Sequence, residues 1–216
     1  FSESQLKKEI ATSEKSILSW FTSAGDLNQE ILNQDSGRLT AFYHNNGYIR
    51  ARVGDPQVEF EEDGIVVTFK VSEGPRFKVG KVDVSGDLIL PKDELMKKIK
   101  ITKEPFYNRE TLRSDVLGLT DIYTGEGYAY ADVSPKVDQD NENLVANITF
   151  QIDRGKQVYF ERMQISGNTK TRDKVIRREL RVYEEELYGG QRLKRGIRNL
   201  NRLDYFQNVK VDTAKG

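Results

Sequence analysis

The sequence predicts an α+β protein built from tandem modules, each a three-stranded mixed sheet packed against two helices. Two observations support this prediction. A pattern of glycine and aromatic residues returns about every 80 residues along the 216-residue chain. Within one period, two segments with helical spacing of apolar residues lie between segments with strand-like alternation. We therefore expect each complete module to have the order β-α-α-β-β.

The repeat is clearest at the glycines. Three of them return 80 or 81 residues later in the chain: Gly47 as Gly127, Gly74 as Gly155 and Gly86 as Gly167. This agreement predicts three modules, over residues 1–74, 75–154 and 155–216. The first module lacks an initial strand and the third lacks a final one, so we expect both ends of the sequence to lie inside modules.

The middle module can be assigned completely. Pro91 should open its first helix, where a missing N–H is harmless, and Asn108 should cap its second helix. The second helix has apolar residues at i, i+4, i+7 and i+11, and Gly125 and Gly127 end it. Strands are predicted over 77–85, 128–138 and 144–152.

The outer modules follow the same pattern with differences. The first has a longer connection between its helices, which includes 17–21, and then strands over 48–60 and 65–71. The third has a strand from about residue 156, a helix over 171–181 and a second helix with Leu193, Ile197 and Leu200 on one face. Its next strand is expected near 205–211.

Two prolines indicate a sheet edge. Pro56 and Pro135 fall late in the second strand of their modules, and proline is confined largely to edge strands, strand ends and bulges. An exposed edge allows another chain to add a strand. In the first module, Gly54-Asp55-Pro56 should interrupt the ladder and leave the earlier stretch as the usable edge. The predicted strand-addition residues are Tyr48, Ile49, Arg50, Ala51, Arg52 and Val53.

Composition and motifs argue against several chemistries. No cysteine and one histidine exclude disulfides and structural Cys/His zinc sites. No apolar run approaches the roughly 18 residues of a membrane-spanning helix. A P-loop and a G-x-G-x-x-G motif are absent, and the loop over 138–142 has Asn143 and Thr149 where a calcium loop needs Gly and Glu. His44 lacks a positioned nucleophile and is interpreted as a helix-end residue. We predict a protein that is not an enzyme.

Charge is distributed unevenly along the chain. Residues 1–154 carry 19 basic and 26 acidic side chains, whereas residues 155–216 carry 15 and 8. In the last helix, Arg195, Arg198 and Arg202 form a stripe at i, i+3 and i+7. This stripe is compatible with a solvated face, a protein-docking surface or a phosphate-bearing partner. The β-α-α-β-β order also resembles RNA-binding KH modules, but no G-x-x-G clamp separates the helices, which disfavours RNA.

Several motifs resemble one family. Residues 165–171, Ile-Ser-Gly-Asn-Thr-Lys-Thr, running into Val175-Ile176-Arg177-Arg178-Glu179-Leu180, resemble the last POTRA (polypeptide-transport-associated) module of the outer-membrane β-barrel assembly factors. Residues 200–206 are similar to the family's Leu-x-x-x-Gly-Tyr-Phe segment, with Asp204 at the Gly position, where Asp tolerates a left-handed backbone better than most residues. The resemblance covers essentially the whole chain. It implies POTRA modules three to five, with two modules and a C-terminal barrel outside this sequence.

The resemblance also implies a function. Family members act at the periplasmic face of the outer membrane of Gram-negative bacteria, bind unfolded outer-membrane β-barrel proteins and accessory lipoproteins, and pass clients to the barrel. They use no cofactor, metal or nucleic acid. Arg177 and Glu184 match the family run that docks a lipoprotein, and we add the arginine stripe to that surface. Two alternatives stay open: the POTRA region of a related two-partner secretion or organelle translocon protein, and tandem RNA-binding modules, for which affinity would depend steeply on salt.

Overall fold

The computed structural model describes residues 1–12, 29–62 and 64–213. The chain divides by its internal contacts into two compact units. The first consists of Phe1–Val82, Lys100–Arg113 and Val137–Ile148, and the second of Asp83–Ile99, Ser114–Lys136 and Thr149–Gly216. The predicted insertion around 17–21 lies outside the described residues. The division into three modules describes chain order and stays a prediction.

The helices and strands of the first and middle parts follow the predicted order, and the helices of the last part do so without their predicted strands. The first part of the chain contains α1 (Glu3–Leu6), α2 (Gln29–Asn45), β1 (Arg52–Val53), β2 (Gln57–Glu61), β3 (Gly64–Thr68) and β4 (Val71–Ser72). The middle contains β5 (Lys78–Gly86), α3 (Lys92–Lys98), α4 (Arg109–Gly125), β6 (Asp132–Asp140) and β7 (Val145–Asp153), with a 3₁₀ turn at Ile101–Lys103. The last part contains α5 (Asp173–Leu180) and α6 (Gly190–Arg202). No helix in the described ranges has the length and apolar character needed to cross a membrane.

The middle of the chain matches the sequence prediction most closely. Asn108 caps α4, because its Oδ1 accepts a hydrogen bond from the Thr111 N–H at 3.0 Å. The sheet has the order β5-β7-β6, so β6, which contains Pro135, is an edge strand as predicted. Alternate residues of β7 are buried: Ala146, Ile148, Phe150 and Ile152.

The strands after the two Gly-Tyr pairs start later than predicted. Gly47 has a φ of +94°, and the N–H of Tyr48 donates to the Tyr43 carbonyl at 3.1 Å, which ends α2. The Ala51 N–H then donates to the Tyr48 carbonyl at 3.0 Å, so residues 49 and 50 form a turn. The prediction of an extended segment from residue 48 is therefore wrong. Residues 128–131 form the corresponding turn, and β6 begins only at residue 132.

The first part of the chain has two short antiparallel ladders. β1 pairs with β4, and β2 pairs with β3. Gly54-Asp55-Pro56 separates β1 from β2, as the sequence predicted. A buried carboxylate braces this region: Asp35 on α2 accepts hydrogen bonds from the Ala11 and Thr12 N–H groups, both at 2.9 Å. Sequence reasoning missed this anchor.

The last part of the chain is a helix pair without a sheet. The buried cluster of α5 and α6 consists of Ile176, Leu180, Val182 and Leu200. The strands predicted from about 156 and near 205–211 are not formed, and only an isolated bridge joins Tyr159 to Leu187. In the middle sheet both β5 and β6 pair with the central strand β7. The described residues after β7 contain no equivalent central strand, so the two predicted strands have no partner. Asp204 has a φ of +56°, the left-handed conformation expected at this position.

Candidate functional site

The predicted strand-addition segment adjoins a chain junction in the first unit. We call this the first junction: the segment around Gly47 and the segment around Phe77. The Phe77 N–H donates to the Gly47 carbonyl at 2.8 Å, and Arg76 Nε donates to the Asn46 carbonyl at 2.8 Å. The Arg76 guanidinium carbon lies 3.4 Å from the centroid of the Phe106 ring. These contacts hold the start of the predicted edge in place.

Arg50, one of the predicted strand-addition residues, is bound to the β6–β7 hairpin of the same unit. Its Nε donates to Gln139 Oε1 at 2.9 Å, and its Nη2 donates to Asn141 Oδ1 at 2.6 Å. Its guanidinium also lies 5.6 Å from the Phe77 ring centroid. The Arg50 side chain therefore links the turn before β1 to this hairpin.

The other predicted edge residues divide into turn and ladder. Tyr48 packs edge-on against Tyr43 with ring centroids 5.6 Å apart, and Ile49 is half-buried. Ala51 is only 3% exposed, and its carbonyl lies 3.2 Å from Nε2 of His44. Its N–H and C=O groups are thus both used within the unit. Arg52 and Val53 alone of the six predicted residues lie in a strand.

A second segment, β2, has the character of a free edge; it belongs to the predicted edge strand over 48–60 but lies after the interruption, outside the stretch predicted to be usable. β2 pairs only with β3 among the described strands, and Phe60 on β2 is 71% exposed. Glu61 and Gly64 face each other across a two-residue hairpin loop, so they form a hydrogen-bonded pair. Hydrogen-bonded pairs alternate along an antiparallel ladder, so the pair of Glu59 with Val66 is also hydrogen-bonded. The backbone groups of Val58 and Phe60 consequently point away from β3.

His44 bridges two elements. Its Nε2 faces the Ala51 carbonyl, and its Nδ1 lies 3.2 Å from Nη1 of Arg109 on α4. A carbonyl can only accept and a guanidinium can only donate, so in these contacts Nε2 donates to the Ala51 carbonyl and Nδ1 accepts from Arg109. No nucleophile contacts it within the described residues, and its role is structural.

A second junction, around Gly127 and Val158, lies in the second unit. The Val158 N–H donates to the Gly127 carbonyl at 3.0 Å, and Gln157 Nε2 donates to the Glu126 carbonyl at 2.9 Å. Lys194 on α6 forms a salt bridge of 2.5 Å with Asp121 on α4.

The predicted lipoprotein-docking pair forms an internal network. Glu184 Oε1 accepts hydrogen bonds from the Met163 N–H at 2.9 Å and from Arg177 Nη1 at 3.2 Å. Arg177 Nη2 donates to the Met163 carbonyl at 2.9 Å. The Met163 N–H, followed by Arg177, lowers the pKa of the exposed Glu184 carboxyl. The two side chains therefore meet, but they hold the segment before α5 rather than projecting freely.

The predicted arginine stripe lies at the surface. Arg195, Arg198 and Arg202 on α6 are all exposed, while Gly196 and Leu200 on the same helix are buried. No carboxylate contacts these three arginines within the described part of the chain. The stripe is thus a strongly basic face whose charge is not neutralised by the fold.

The sequence analysis singled out the junction glycines but not the side chains that surround them. Phe106 and Leu187 occupy equivalent positions of the repeat. This equivalence indicated that the two residues would lie at corresponding places, one beside each junction. No comparable signal marked Gln139 and Asn141, because a polar hairpin loop predicts solvent exposure equally well.

The comparisons define the class of protein. The POTRA family model, described as "Surface antigen variable number repeat", matches residues 1–74, 77–155 and 158–216. The chain therefore belongs to the POTRA family.

Among its relatives are outer-membrane assembly factors. The chain is 38% identical over 215 residues to "Outer membrane protein assembly factor BamA" of Nitratidesulfovibrio vulgaris, which covers 98% of this chain and 27% of that protein. It is 33% identical over 217 residues to BamA of Neisseria meningitidis serogroup B, which covers 99% of this chain and 27% of that protein. The chain thus spans about a quarter of these relatives.

Solved structures show the same fold. POTRA3-5 of Haemophilus influenzae BamA has a TM-score of 0.82 at 23% identity, and covers 97% of this chain and 83% of that chain. BamA of Haemophilus ducreyi lacking POTRA domains 1-3 has a TM-score of 0.54 at 21% identity, and covers 62% of this chain and 25% of that chain. The arrangement of helices and small sheets is therefore that of BamA POTRA modules three to five.

Proposed function

We propose that this chain is the periplasmic scaffold of an outer-membrane protein assembly factor in a Gram-negative bacterium. It is not an enzyme. It binds unfolded outer-membrane β-barrel proteins and accessory lipoproteins, and it passes clients to a C-terminal barrel for folding and insertion. The observation that carries the proposal is the match to POTRA modules and to BamA relatives along nearly the whole chain.

Clients bind by adding a strand to the edge of β2, with Arg52 and Val53 of β1 extending it. The outward backbone groups of Val58 and Phe60 accept and donate hydrogen bonds without reading sequence, which suits a factor with many clients. The exposed Phe60 ring adds apolar area. Each hydrogen bond contributes only about 0.5–1.5 kcal/mol, so binding is weak and reversible.

This edge is tested by NMR titration of the chain with an extended, alternating apolar and polar peptide. Val58→Pro removes an outward N–H at an edge position that tolerates proline, and should abolish the peptide-induced shifts on β2. Val58→Thr keeps the N–H and the β-branched shape, and should bind as the unmodified chain does. Shifts that fall on α2 or α4, or that survive in Val58→Pro, would contradict strand addition at β2.

Accessory lipoproteins dock on the arginine stripe of α6. Its three arginines have no carboxylate partner in the described chain, so an acidic partner would neutralise them without breaking an existing ion pair. Arg177 and Glu184 contribute by positioning the segment before α5.

A pull-down with the purified accessory lipoproteins of the assembly complex tests this surface. The double variant Arg195→Glu, Arg198→Glu should lose the partner, and Arg113→Glu, a charge reversal at an exposed arginine of α4, is the matched control. Circular dichroism should be unchanged in both. Equal capture by both variants would show that the stripe is only a solvated face.

A further inference from the structure

A basic cavity lies beside β1 in the first unit. Its volume is about 630 Å³, and it is lined by His44, Ile49, Arg50, Ala51, Arg52, Ser72, Gly74 and Pro75. This volume is within the range of small-molecule sites. Among the described residues, the titratable side chains that line it are His44, Arg50 and Arg52, and none of them is a carboxylate.

The fold directs the nearest acidic side chain elsewhere. Glu73 lies between two lining residues, but its Oε1 accepts a hydrogen bond from the Tyr43 hydroxyl at 2.8 Å. Successive residues of an extended segment point to opposite faces, so Ser72 faces the cavity while Glu73 points toward Tyr43. The cavity therefore stays uncompensated.

The arginines keep their charge available. Arg52 pairs with Ser72 across the β1–β4 ladder, which places both side chains on one face, and it has no ionic partner among the described residues. Arg50 is held by two neutral amide oxygens, which orient its guanidinium without cancelling its charge. Behind His44 lies Arg109, a further cation from α4. An anion in this cavity would meet an oriented guanidinium, a free guanidinium and a hydroxyl.

The charge of the lining favours an anionic ligand. A concave site lined by one sign of charge focuses the electrostatic potential and raises the local concentration of counter-ions.

We infer that this cavity binds the carboxylate at the end of an extended polypeptide. β1 precedes β2 in the chain, and both pair with the continuous segment that contains β3 and β4. A strand added antiparallel to β2 would therefore present its carboxyl end on the Arg52 side. The span from Val58 to Arg52 is six residues, or about 20 Å of extended chain. The anion preference follows from the cavity alone, whereas the choice of a chain end rests on the proposed strand addition.

The test compares two peptides of the same sequence, one with a free C-terminal carboxylate and one amidated, by NMR titration of the full chain. Amidation should weaken binding about threefold to tenfold, which is the range of a partly exposed charge-assisted contact. Arg52→Gln should abolish the difference between the peptides. Arg113→Gln, at an exposed arginine outside the cavity, should preserve it. Equal affinity of the two peptides for the unmodified chain would overturn the chain-end proposal.

Small anions separate the cavity from the edge strand. Sodium acetate should shift the amides of Arg52, Ser72 and Gly74 more than sodium chloride does, and Arg52→Gln should remove the excess shift. Acetate shifts without any peptide binding would support the anion site and overturn strand addition. Identical effects of acetate and chloride would overturn the anion site. A stronger response to inorganic phosphate than to acetate would overturn the carboxylate assignment in favour of a phosphate group.

Discussion

The two junctions make the same backbone connection at equivalent positions of the repeat. In each, a glycine with a φ near +93° follows a long helix and accepts a hydrogen bond from a backbone N–H about 30 residues later: Gly47 from Phe77 and Gly127 from Val158. The residue after each donor forms an isolated β-bridge: Lys78 with Phe106, and Tyr159 with Leu187. The two junctions therefore share a backbone hydrogen bond to a glycine carbonyl, and this bond does not depend on the side chain of the donor residue.

The side chains at the two junctions differ. Arg76 donates to a carbonyl and stacks on the Phe106 ring, whereas Gln157 donates to the equivalent carbonyl and has Leu187 nearby at the corresponding bridge. At the first junction the Arg76 guanidinium stacks on Phe106, and the Arg50 guanidinium lies 5.6 Å from the Phe77 ring centroid. At the second junction the Leu187 side chain lies against Gly127, and elsewhere in the same unit Lys194 of α6 pairs with Asp121 of α4. The repeat thus preserves the backbone connection and varies what surrounds it.

The largest effect is expected at the junction glycines. A Cβ on residue 127 would lie 2.7 Å from Leu187 side-chain atoms, and a Cβ on residue 47 would lie 3.0 Å from the Phe77 carbonyl oxygen. Both positions also require a positive φ that strains alanine. Gly127→Ala and Gly47→Ala should each lower the free energy of unfolding by about 2–4 kcal/mol in urea denaturation followed by circular dichroism.

A second substitution distinguishes the two glycines. Leu187→Ala removes the side chain that obstructs residue 127, so the double variant should be less destabilised than the sum of its single variants. Phe106→Ala should not rescue Gly47→Ala in this way, because a backbone carbonyl remains in contact. Equal rescue at both junctions would show that backbone strain alone accounts for the glycines.

The tyrosines of the two long helices should respond differently to alkaline pH. Burial, followed by the hydrogen bond to Glu73, raises the pKa of Tyr43 to about 12. Burial also raises the pKa of Tyr123, whose hydroxyl donates to the Asp87 carbonyl instead. The folded state holds the Tyr43 proton more tightly than the unfolded state does. The stability that Tyr43 contributes is therefore fully present below its unfolded pKa of 10.0 and is lost as pH rises through about 12.

The Tyr43 contribution should amount to no more than about 1–2 kcal/mol: each pKa unit corresponds to about 1.4 kcal/mol, and solvent at the partly exposed Glu73 carboxylate screens part of the interaction. Urea midpoints measured between about pH 9 and pH 11.5 should fall less steeply in Tyr43→Phe than in the unmodified chain. Parallel slopes for the two proteins would contradict the raised pKa of Tyr43.

A smaller effect is expected when the first junction is given the side chain of the second. Arg76→Gln keeps a donor for the Asn46 carbonyl but loses the stack on Phe106, and should cost about 0.5–1 kcal/mol. The reciprocal Gln157→Arg should not gain that amount, because Leu187 offers no aromatic face. A double-mutant cycle between Arg76→Gln and Phe106→Leu measures the coupling, and a coupling near zero would show that the ring contributes only apolar packing.

The smallest effect is expected at the salt bridge between Lys194 of α6 and Asp121 of α4 in the second unit. Lys194 and Asp121 have side chains that are 58% and 37% exposed, so Asp121→Asn should cost no more than about 1 kcal/mol. Salt screens exposed charges, and the difference from the unmodified chain should shrink in high NaCl. A larger cost that is independent of salt would contradict the assignment of a solvent-screened ion pair, because the variant leaves the residue 121 carbonyl that accepts from Gln191 in place.

Local patterns predicted the helices well and the strand starts poorly. The cap at Asn108 and the apolar stripe of α4 depend on residues within a few turns, so they are visible in the sequence. Residues 48–51 have β-branched and aromatic character but form a turn, because the Tyr48 N–H is captured by the end of α2. For the candidate sites, the sequence predicted the contact between Arg177 and Glu184 no better than it predicted the usable part of the edge: both depend on which distant groups the fold brings together, and their roles in binding stay predictions.

The sequence by itself determined the repeat, the helices, the junction glycines and the basic character of the last part of the chain. These features depend on residue type and spacing, which a chain carries whether or not it is folded. Only the tertiary structure decided that Arg50 clamps a hairpin 89 residues away, that Glu73 points to Tyr43 and that an uncompensated cavity remains beside Arg52. Those outcomes depend on which distant groups meet, and a side chain's charge is available to a ligand only where no partner has been brought to it.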